Sequence, residues 1–247
     1  MMSRTALTRC SRLACVLALL LSLNSIVAAA QQLKAETPTP QRQAWWTERH
    51  DRTVSRIRQG QVDLLFIGDS ITQGWEEDGR PVWDRYYAGR RAVNLGFNSD
   101  QTDNVLWRLE HGELDGSAPK LAIVMIGTNN ATIREDPPET TTAGIRAILT
   151  TLRTRLPGTK ILLLAIFPRG ASPDDPLRRM NEAVNARLPT LADQRQVVFL
   201  NINRRFLDGD GRLSAEIMPD FLHPSALGYR LWAEGMEEFV KKLMEES

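Results

Sequence analysis

Four polar residues in three separate parts of the chain have the side chains that acyl transfer through a serine requires. They are the hydroxyl of Ser70, the imidazole of His223, the carboxylate of Asp220 and the amide of Asn129. A serine is a weak nucleophile at neutral pH, so it needs a base within hydrogen-bond reach and a group that orients the base. Amide donors stabilise the oxyanion that forms on the attacked carbonyl group. These residue types predict serine-dependent acyl transfer, provided that folding brings them together.

The local sequence around Ser70 and His223 suits these roles. Ser70 follows an apolar run through Gly68–Asp69, so it lies where a helix begins and where backbone N–H groups favour negative charge. Pro224 disfavours helix at His223, so a turn can fold Asp220 back onto one ring nitrogen. Plainer alternatives remain open: Ser70 as a helix N-cap, and Asp220 with His223 as residues of a surface turn.

The other two histidines suit a base less well. His50 lies among charged residues of a predicted amphipathic helix, and its ring is expected to be in solvent. His111 precedes Gly112 at the end of a charged helix and is expected to cap that helix. His223 is therefore the candidate base.

Three amide groups are candidates for an oxyanion hole. They are the side chain of Asn129 and the backbone N–H groups of Ser70 and Ser99, each of which follows an apolar run. The alternative for Asn129 is an Asx-turn that closes its own loop. The turns that carry these groups contain three further candidate site residues: Asp69, Gly96 and Asn130.

Short apolar runs alternate with segments of helical periodicity along the chain. The runs predict five strands at residues 62–67, 92–95, 121–126, 160–167 and 197–202. The periodic segments predict helices at residues 44–60, 102–110, 139–156, 177–191 and 226–244. Nearly continuous apolar strands joined by helices predict an α/β fold with a parallel sheet that is covered on both faces. Ligands bind at the carboxyl ends of such strands, which is where the candidate turns lie.

The amino-terminal thirty residues have the composition of a secretory signal peptide. Arg4, Arg9 and Arg12 precede an apolar run, and small residues follow at 28–30. The run is about fifteen residues long, which is shorter than the roughly 20 that a membrane-spanning helix needs. We therefore predict cleavage after Ala30 and export to the periplasm or the exterior. The only cysteines of the chain lie in this segment, so the exported domain would have no disulfide.

The rest of the chain predicts one domain behind a short leader. Residues 31–43 are polar with two prolines and predict a flexible leader, and residues 44–247 predict a single domain. The chain has 31 Lys and Arg against 30 Asp and Glu, a formal net charge of +1. Such a balance provides no field that would recruit nucleic acid or anionic lipid. We therefore expect neither a nucleic-acid partner nor stable membrane insertion after cleavage.

The candidate turns resemble, in order and spacing, the four sequence blocks of the SGNH (GDSL-type) hydrolases. The matching residues are 68–71, 96–100, 127–130 and the pair Asp220 and His223. Residues 105–114 and 167–170 are similar to the subgroup that contains the catalytic subunits of platelet-activating factor acetylhydrolase. The resemblance implies a flavodoxin-like three-layer αβα sandwich with five parallel strands in the order 2-1-3-4-5. It also implies ester hydrolysis without a metal or cofactor, and it leaves a homodimer open.

Residue roles follow from the same resemblance. Ser70 would be the nucleophile, His223 the general base and Asp220 its orienting partner, with Asn129 as an oxyanion donor. The family's second donor is usually a glycine before an acidic residue, whereas Ser99 stands there in this chain. If the turn needs a positive φ, the serine is strained, because only glycine adopts that conformation freely.

The sequence constrains the identity of the substrate less than it constrains the type of reaction. The segments after the predicted strands are short, so a small acyl group such as acetyl, on a carbohydrate or another small alcohol, is expected. Residues 75–78 follow the candidate nucleophile and are candidates for a rim whose acidic side chains would disfavour anionic substrates, although a solvated loop is the favoured interpretation. A lysophospholipase or thioesterase acting on longer chains is the enzymatic alternative. A non-catalytic, secreted binding module on the same scaffold is the alternative of a different class.

Overall fold

The sheet of the protein, seen in a computed structural model that describes residues 30 and 33–245, has the predicted topology. Five parallel strands lie in the order β2-β1-β3-β4-β5, which confirms the predicted order. Each strand begins and ends within two or three residues of its apolar run. The strands are β1 Leu64–Gly68, β2 Ala92–Gly96, β3 Leu121–Met125, β4 Lys160–Leu164 and β5 Val197–Leu200.

Helices connect the strands and cover both faces of the sheet. They are α1 Ala44–Arg58, α2 Ser70–Gln73, α3 Arg80–Tyr86, α4 Thr102–Glu110, α5 Thr128–Ile133, α6 Pro138–Arg155, α7 Pro176–Asn185 and α8 Ala226–Glu245. The helix predicted at 177–191 is shorter, because α7 ends at Asn185 and a 3-10 turn, Leu188–Leu191, follows with Pro189 inside it. The helix start predicted at Ser70 is that of α2, whereas the short helices α3 and α5 were not predicted, since one or two turns show no periodicity.

The core consists of two apolar layers separated by the sheet. Successive residues of a strand point to opposite faces, so Leu65 and Ile67 belong to one layer while Leu64 and Phe66 belong to the other. The first layer packs against α4, α6 and α7, and the second packs against α8. This is the predicted αβα sandwich. None of the helices described at residues 33–245 has the length and apolar character to cross a membrane.

The segment before α1 corrects one prediction. Residues 33–36 are helical, and Ala35 is completely buried. The carbonyl of Ala35 accepts a hydrogen bond from Thr102 Oγ at 3.0 Å, and the N–H of Thr39 donates to the carbonyl of Asp103 at 3.1 Å. Residues 33–43 therefore pack along the beginning of α4, and the prediction of a flexible leader is wrong for them. The predicted signal peptide lies outside the described residues, apart from Ala30.

Candidate active site

Ser70 is placed by a tight turn between β1 and α2. Asp69 is the N-cap of α2, and its Oδ1 accepts a hydrogen bond from the N–H of Ile71 at 3.0 Å. Gly68 is needed in this turn, because a Cβ there would lie 2.1 Å from Thr72 Oγ1 and 2.5 Å from a β3 carbonyl oxygen. The cap is Asp69, so the alternative interpretation of Ser70 as an N-cap is wrong. Ser70 is the first residue of the helix, and its hydroxyl is available for other contacts.

His223 and Asp220 meet Ser70 in the arrangement that a base and its orienting group require. Nε2 of His223 lies 2.9 Å from Ser70 Oγ, across 153 residues of sequence. Nδ1 of the same ring lies 2.6 Å from Oδ2 of Asp220. Oδ1 of Asp220 accepts the backbone N–H groups of Leu222 at 3.0 Å and of His223 at 2.7 Å. The turn over residues 220–223 is at the surface, as the alternative interpretation predicted. Its histidine nevertheless contacts Ser70, and its aspartate contacts the histidine.

The electrostatics of this pair fix which ring nitrogen carries a proton. Partial burial raises the pKa of Asp220, but the hydrogen bonds from the ring and backbone of His223 outweigh it, so the pKa lies below its ordinary value. An ionised carboxylate only accepts hydrogen bonds, so Nδ1 must donate to it. In the neutral ring, Nε2 then has its lone pair directed at the hydroxyl of Ser70.

The turn after β2 carries the second candidate oxyanion donor. The N–H of Asp100 donates to the carbonyl of Phe97 at 3.2 Å, which closes a four-residue turn over residues 97–100. We call residues 97–100 the oxyanion turn. Its third residue, Ser99, has a φ of 61°, so the turn does require the left-handed conformation in which serine is strained. The N–H of Phe97 donates to the carbonyl of Gly68, which ties this turn to the end of β1.

Asn129 is joined to the oxyanion turn rather than to its own loop. It lies in the first turn of α5, is 9% exposed, and its Nδ2 donates to the carbonyl of Asp100 at 3.0 Å. An amide nitrogen has two protons, so one remains for another acceptor. The bond to Asp100 spans 29 residues and argues against the Asx-turn alternative.

Two of the other predicted site residues have structural contacts. Asn130 is completely buried, and its Nδ2 donates to Thr102 Oγ1 at 3.0 Å and to Asp136 Oδ2 at 2.9 Å. Its amide is therefore used to connect α5 to α4 and to the loop that follows α5. Gly96 lies against α2, where a Cβ would be 2.2 Å from the N–H of Gln73, so it allows the close approach of β2 to that helix.

A buried ionic network fixes Asp100, the last residue of the oxyanion turn. Asp100 is completely buried; its Oδ2 accepts Arg108 Nε at 2.8 Å, and its Oδ1 accepts Trp46 Nε1 at 2.7 Å and Gln41 Nε2 at 2.8 Å. Arg108 also pairs with Glu113, which is equally buried. Burial raises the pKa of Asp100 to about 6, although the Arg108 charge and the hydrogen bonds oppose the increase. Sequence reasoning missed this network, and a charged residue on the apolar face of α4 was the one available sign of it.

His50 corrects a prediction in the same region. The ring is buried rather than in solvent, with its Nε2 3.0 Å from the carbonyl oxygen of His111. It stacks on Trp46 with ring centroids 5.8 Å apart. The charged residues around it in the sequence lie on other faces of α1. His111 is the C-cap of α4, as predicted.

A small polar cavity of about 250 Å³ opens at Ser70 and His223. Gln73 lies in its wall and accepts the N–H of Asn98 at 2.8 Å, which links α2 to the oxyanion turn. Of the four candidate rim residues, Glu77 and Asp78 line the cavity and are exposed.

The other two candidate rim residues lie elsewhere, so the rim prediction is wrong for them. Trp75 is completely buried in the core. Glu76 pairs with Arg49, and both of its carboxylate oxygens accept from the guanidinium.

The sequence is similar to known proteins over most of its length. Residues 66–231 match the model of a family described as the GDSL-like lipase/acylhydrolase family. The platelet-activating factor acetylhydrolase IB subunit alpha2 of Rattus norvegicus is 37% identical over 206 residues, which are 82% of this chain and 86% of that protein.

Two solved structures have the same fold. A GDSL-like lipase from Bacteroides thetaiotaomicron superposes with a TM-score of 0.64 at 17% identity, covering 79% of this chain and 97% of that one. Axe2, an acetylxylan esterase from Geobacillus stearothermophilus, superposes with a TM-score of 0.59 at 21% identity, covering 74% of this chain and 94% of that one. At these identities the likeness establishes the fold alone.

Proposed function

The chain belongs to the GDSL-like lipase/acylhydrolase family and is a carboxylic ester hydrolase, and on this premise we propose that it removes short acyl groups, acetyl foremost. The observation that carries the proposal is the cavity at Ser70 and His223. Its volume of about 250 Å³ lies below the roughly 300–1,000 Å³ of sites that take drug-sized ligands. Polar side chains line it, so it suits a small acyl group on a hydrophilic alcohol better than a long alkyl chain.

The class of alcohol follows from the rim and from the similar proteins. Glu77 and Asp78 place negative charge at the mouth, which disfavours anionic esters. By their names, one similar protein is an acetylhydrolase and another an acetylxylan esterase. We infer an acetylated carbohydrate or a small acetyl ester as the substrate.

The first half of the proposed reaction forms an acyl-enzyme. Nε2 of His223 takes the hydroxyl proton while Oγ of Ser70 bonds to the carbonyl carbon of the ester. Asp220 stabilises the imidazolium that results. The carbonyl oxygen becomes an oxyanion, and the N–H groups of Ser70 and Ser99 and the free proton of the Asn129 amide donate to it.

The second half returns the enzyme to its starting state. The imidazolium gives its proton to the leaving alcohol as the C–O bond of the ester breaks. Water then loses a proton to Nε2 and attacks the acyl carbon, which releases the carboxylic acid and restores the hydroxyl of Ser70. Each proton taken by His223 is returned within the cycle.

The test compares p-nitrophenyl acetate with the decanoate ester in wild type and Ser70→Ala. We expect kcat/KM for acetate to exceed that for decanoate by at least about tenfold, and Ser70→Ala to lower kcat by about a millionfold, the precedent for a triad nucleophile. A fluorophosphonate probe should label the wild type and not the variant. Ser117→Ala, at the opposite end of the strands, is the matched control and should keep full activity.

Two outcomes of this comparison would contradict the proposal. Faster hydrolysis of the decanoate would favour the lysophospholipase or thioesterase alternative. A wild-type protein that neither hydrolyses esters nor reacts with the probe would favour the binding module.

Export is part of the proposal and is supported by the sequence of residues 1–30. Three arginines before the apolar run and three alanines after it have the order of a signal peptide. The exported protein should begin at Gln31, which N-terminal sequencing would show. A protein that is exported with its first thirty residues intact would contradict cleavage.

A further inference from the structure

We propose that Gln41, in the segment before α1, is a positioning residue that holds the backbone N–H of Ser99 in its oxyanion-binding direction. The role deepens the proposed function and rests on it, because it assumes that this N–H receives the oxyanion. Gln41 lies 59 residues before Asp100 in the sequence, and no motif marks it.

The side chain of Gln41 makes two hydrogen bonds, and both fall on the oxyanion turn. Its Nε2 donates to the carbonyl oxygen of Asn98 at 3.0 Å and to Oδ1 of Asp100 at 2.8 Å. These bonds use both protons of the amide. The carboxylate of Asp100 is itself held by Trp46 and Arg108. The bond to Asp100 therefore anchors the amide group of Gln41, and the second bond from the same nitrogen restrains the peptide.

The restrained carbonyl belongs to the peptide that supplies the donor. Asn98 contributes the C=O and Ser99 the N–H of one peptide unit. That unit is planar and trans, so its C=O and N–H point in opposite directions. Holding the oxygen of Asn98 towards Gln41 therefore directs the N–H of Ser99 to the other side of the turn.

The restraint matters because the turn is strained at Ser99. A positive φ at the third residue is the signature of a type II turn, which normally has glycine there. Rotating the central peptide by about 180° gives a type I turn, whose third residue has a φ near −90° that serine adopts freely. The rotation would also point the N–H of Ser99 away from its present direction. Serine thus favours the rotated turn, and the bond from Gln41 opposes it.

The chain segment that carries Gln41 is itself fixed close to this residue. The N–H of Thr39 donates to the carbonyl of Asp103 at 3.1 Å, and its carbonyl accepts Asn104 Nδ2 at 2.9 Å. Both partners lie in the first turn of α4, directly after the oxyanion turn. The segment and the turn are therefore held to the same helix end, so little freedom remains between them.

The first experiment measures kcat, KM and melting temperature on p-nitrophenyl acetate for wild type, Gln41→Ala and Gln43→Ala. We expect Gln41→Ala to lower kcat about tenfold with KM nearly unchanged, because the oxyanion forms only after substrate is bound. The melting temperature should fall by only a few degrees, because Trp46 and Arg108 still donate to the Asp100 carboxylate. Gln43 is the matched control, since it is an exposed glutamine of the same segment whose side chain makes no capping bond. Gln43→Ala should have the wild-type kcat.

The second experiment repeats the Gln41→Ala comparison in a Ser99→Gly background. Glycine tolerates the positive φ, so the turn no longer favours rotation, and the loss caused by Gln41→Ala should shrink to about twofold. An unchanged kcat in Gln41→Ala, a change confined to KM, or an equal loss in both backgrounds would each overturn this role. A wild type without esterase activity or probe labelling would instead overturn the proposed function, and this role with it.

Discussion

The two turns that follow the neighbouring strands β1 and β2 are held in different ways. The first, at Gly68–Ser70, is held by its own residues, since Asp69 caps the helix that begins one residue later. The second, at residues 97–100, has few restraints of its own and contains a serine at φ 61°. It is held by side chains from α1, α4, α5 and the segment before α1.

The difference follows from what each turn must present. In the proposed reaction, the turn at Gly68–Ser70, which we call the nucleophile turn, presents the side chain of Ser70 from the start of a helix, so local capping is sufficient. The oxyanion turn presents a backbone N–H whose direction depends on one peptide orientation, and this orientation is strained for serine. A strained conformation persists only where surrounding contacts determine it. The contacts in this molecule converge on Asp100.

Removing Arg108, which pairs with Asp100 at the end of the oxyanion turn, should have the largest effect on stability. Arg108→Met leaves the carboxylates of Asp100 and Glu113 buried without their cation, so we expect a loss of about 3–5 kcal/mol in the free energy of unfolding. Denaturant titration would measure it.

The matched control for Arg108 is Arg80, which pairs with Asp84 at the surface. Exposed pairs contribute at most about 1 kcal/mol, so Arg80→Met should change stability little. Similar losses of unfolding free energy in the two variants would mean that the buried network contributes no more to stability than a surface ion pair.

Substitution of Asn129 tests whether its amide and the neighbouring oxyanion turn contribute to activity. Asn129→Ala removes a candidate oxyanion donor and also the bond to the carbonyl of Asp100, so kcat should fall by about a hundredfold to a thousandfold, or about 2.7–4 kcal/mol in the barrier. Steady-state kinetics with the acetate ester would measure kcat and KM separately. An increase in KM with kcat intact would show that the amide binds the substrate and does not stabilise the oxyanion.

The carboxylate of Asp69 predicts a gradual effect, a dependence of stability on pH. Burial raises the pKa of Asp69 to about 7, although the bond from the N–H of Ile71 opposes it. The folded protein therefore keeps this proton at pH values where the unfolded chain has released it. This contribution to stability is complete below about pH 4 and is lost as the pH rises to about 7, with a slope of at most about 1.4 kcal/mol per pH unit.

Asp69→Asn should remove this dependence, because asparagine does not ionise and still caps the helix. Asp220→Asn is the control of opposite sign. The pKa of Asp220 lies below its ordinary value, so its contribution is lost only as the pH falls below about 4. Urea denaturation at pH 3, 4, 5.5 and 7 would separate the two. A parallel dependence in wild type and Asp69→Asn would assign the effect to another group.

The strands, the longer helices and the residues around Ser70 and His223 could be predicted from the sequence, whereas the buried network could not. The apolar runs identified every strand of the sheet, and residues 102–110 were predicted with the bounds that α4 has. Ser70, Asp220 and His223 were identified because strand ends, turns and the i to i+3 spacing are local features. Arg108 and the buried His50 were missed or misjudged, because burial of a polar side chain depends on what packs over it. Gln41 is half-buried and was missed because its partners lie 57 and 59 residues away in the sequence.

The order of residues along the chain accounts for which residues follow each strand, which carboxylate can reach which histidine, and the serine at a position where glycine is usual. These properties depend on spacing over a few residues and on apolar periodicity, which the chain carries in any conformation. The meeting of Gln41, Trp46 and Arg108 at Asp100, across as many as 59 residues, depends instead on how the helices pack against the sheet. Their directional hydrogen bonds form only after the sheet and its helices have packed, so no local sequence pattern predicts them.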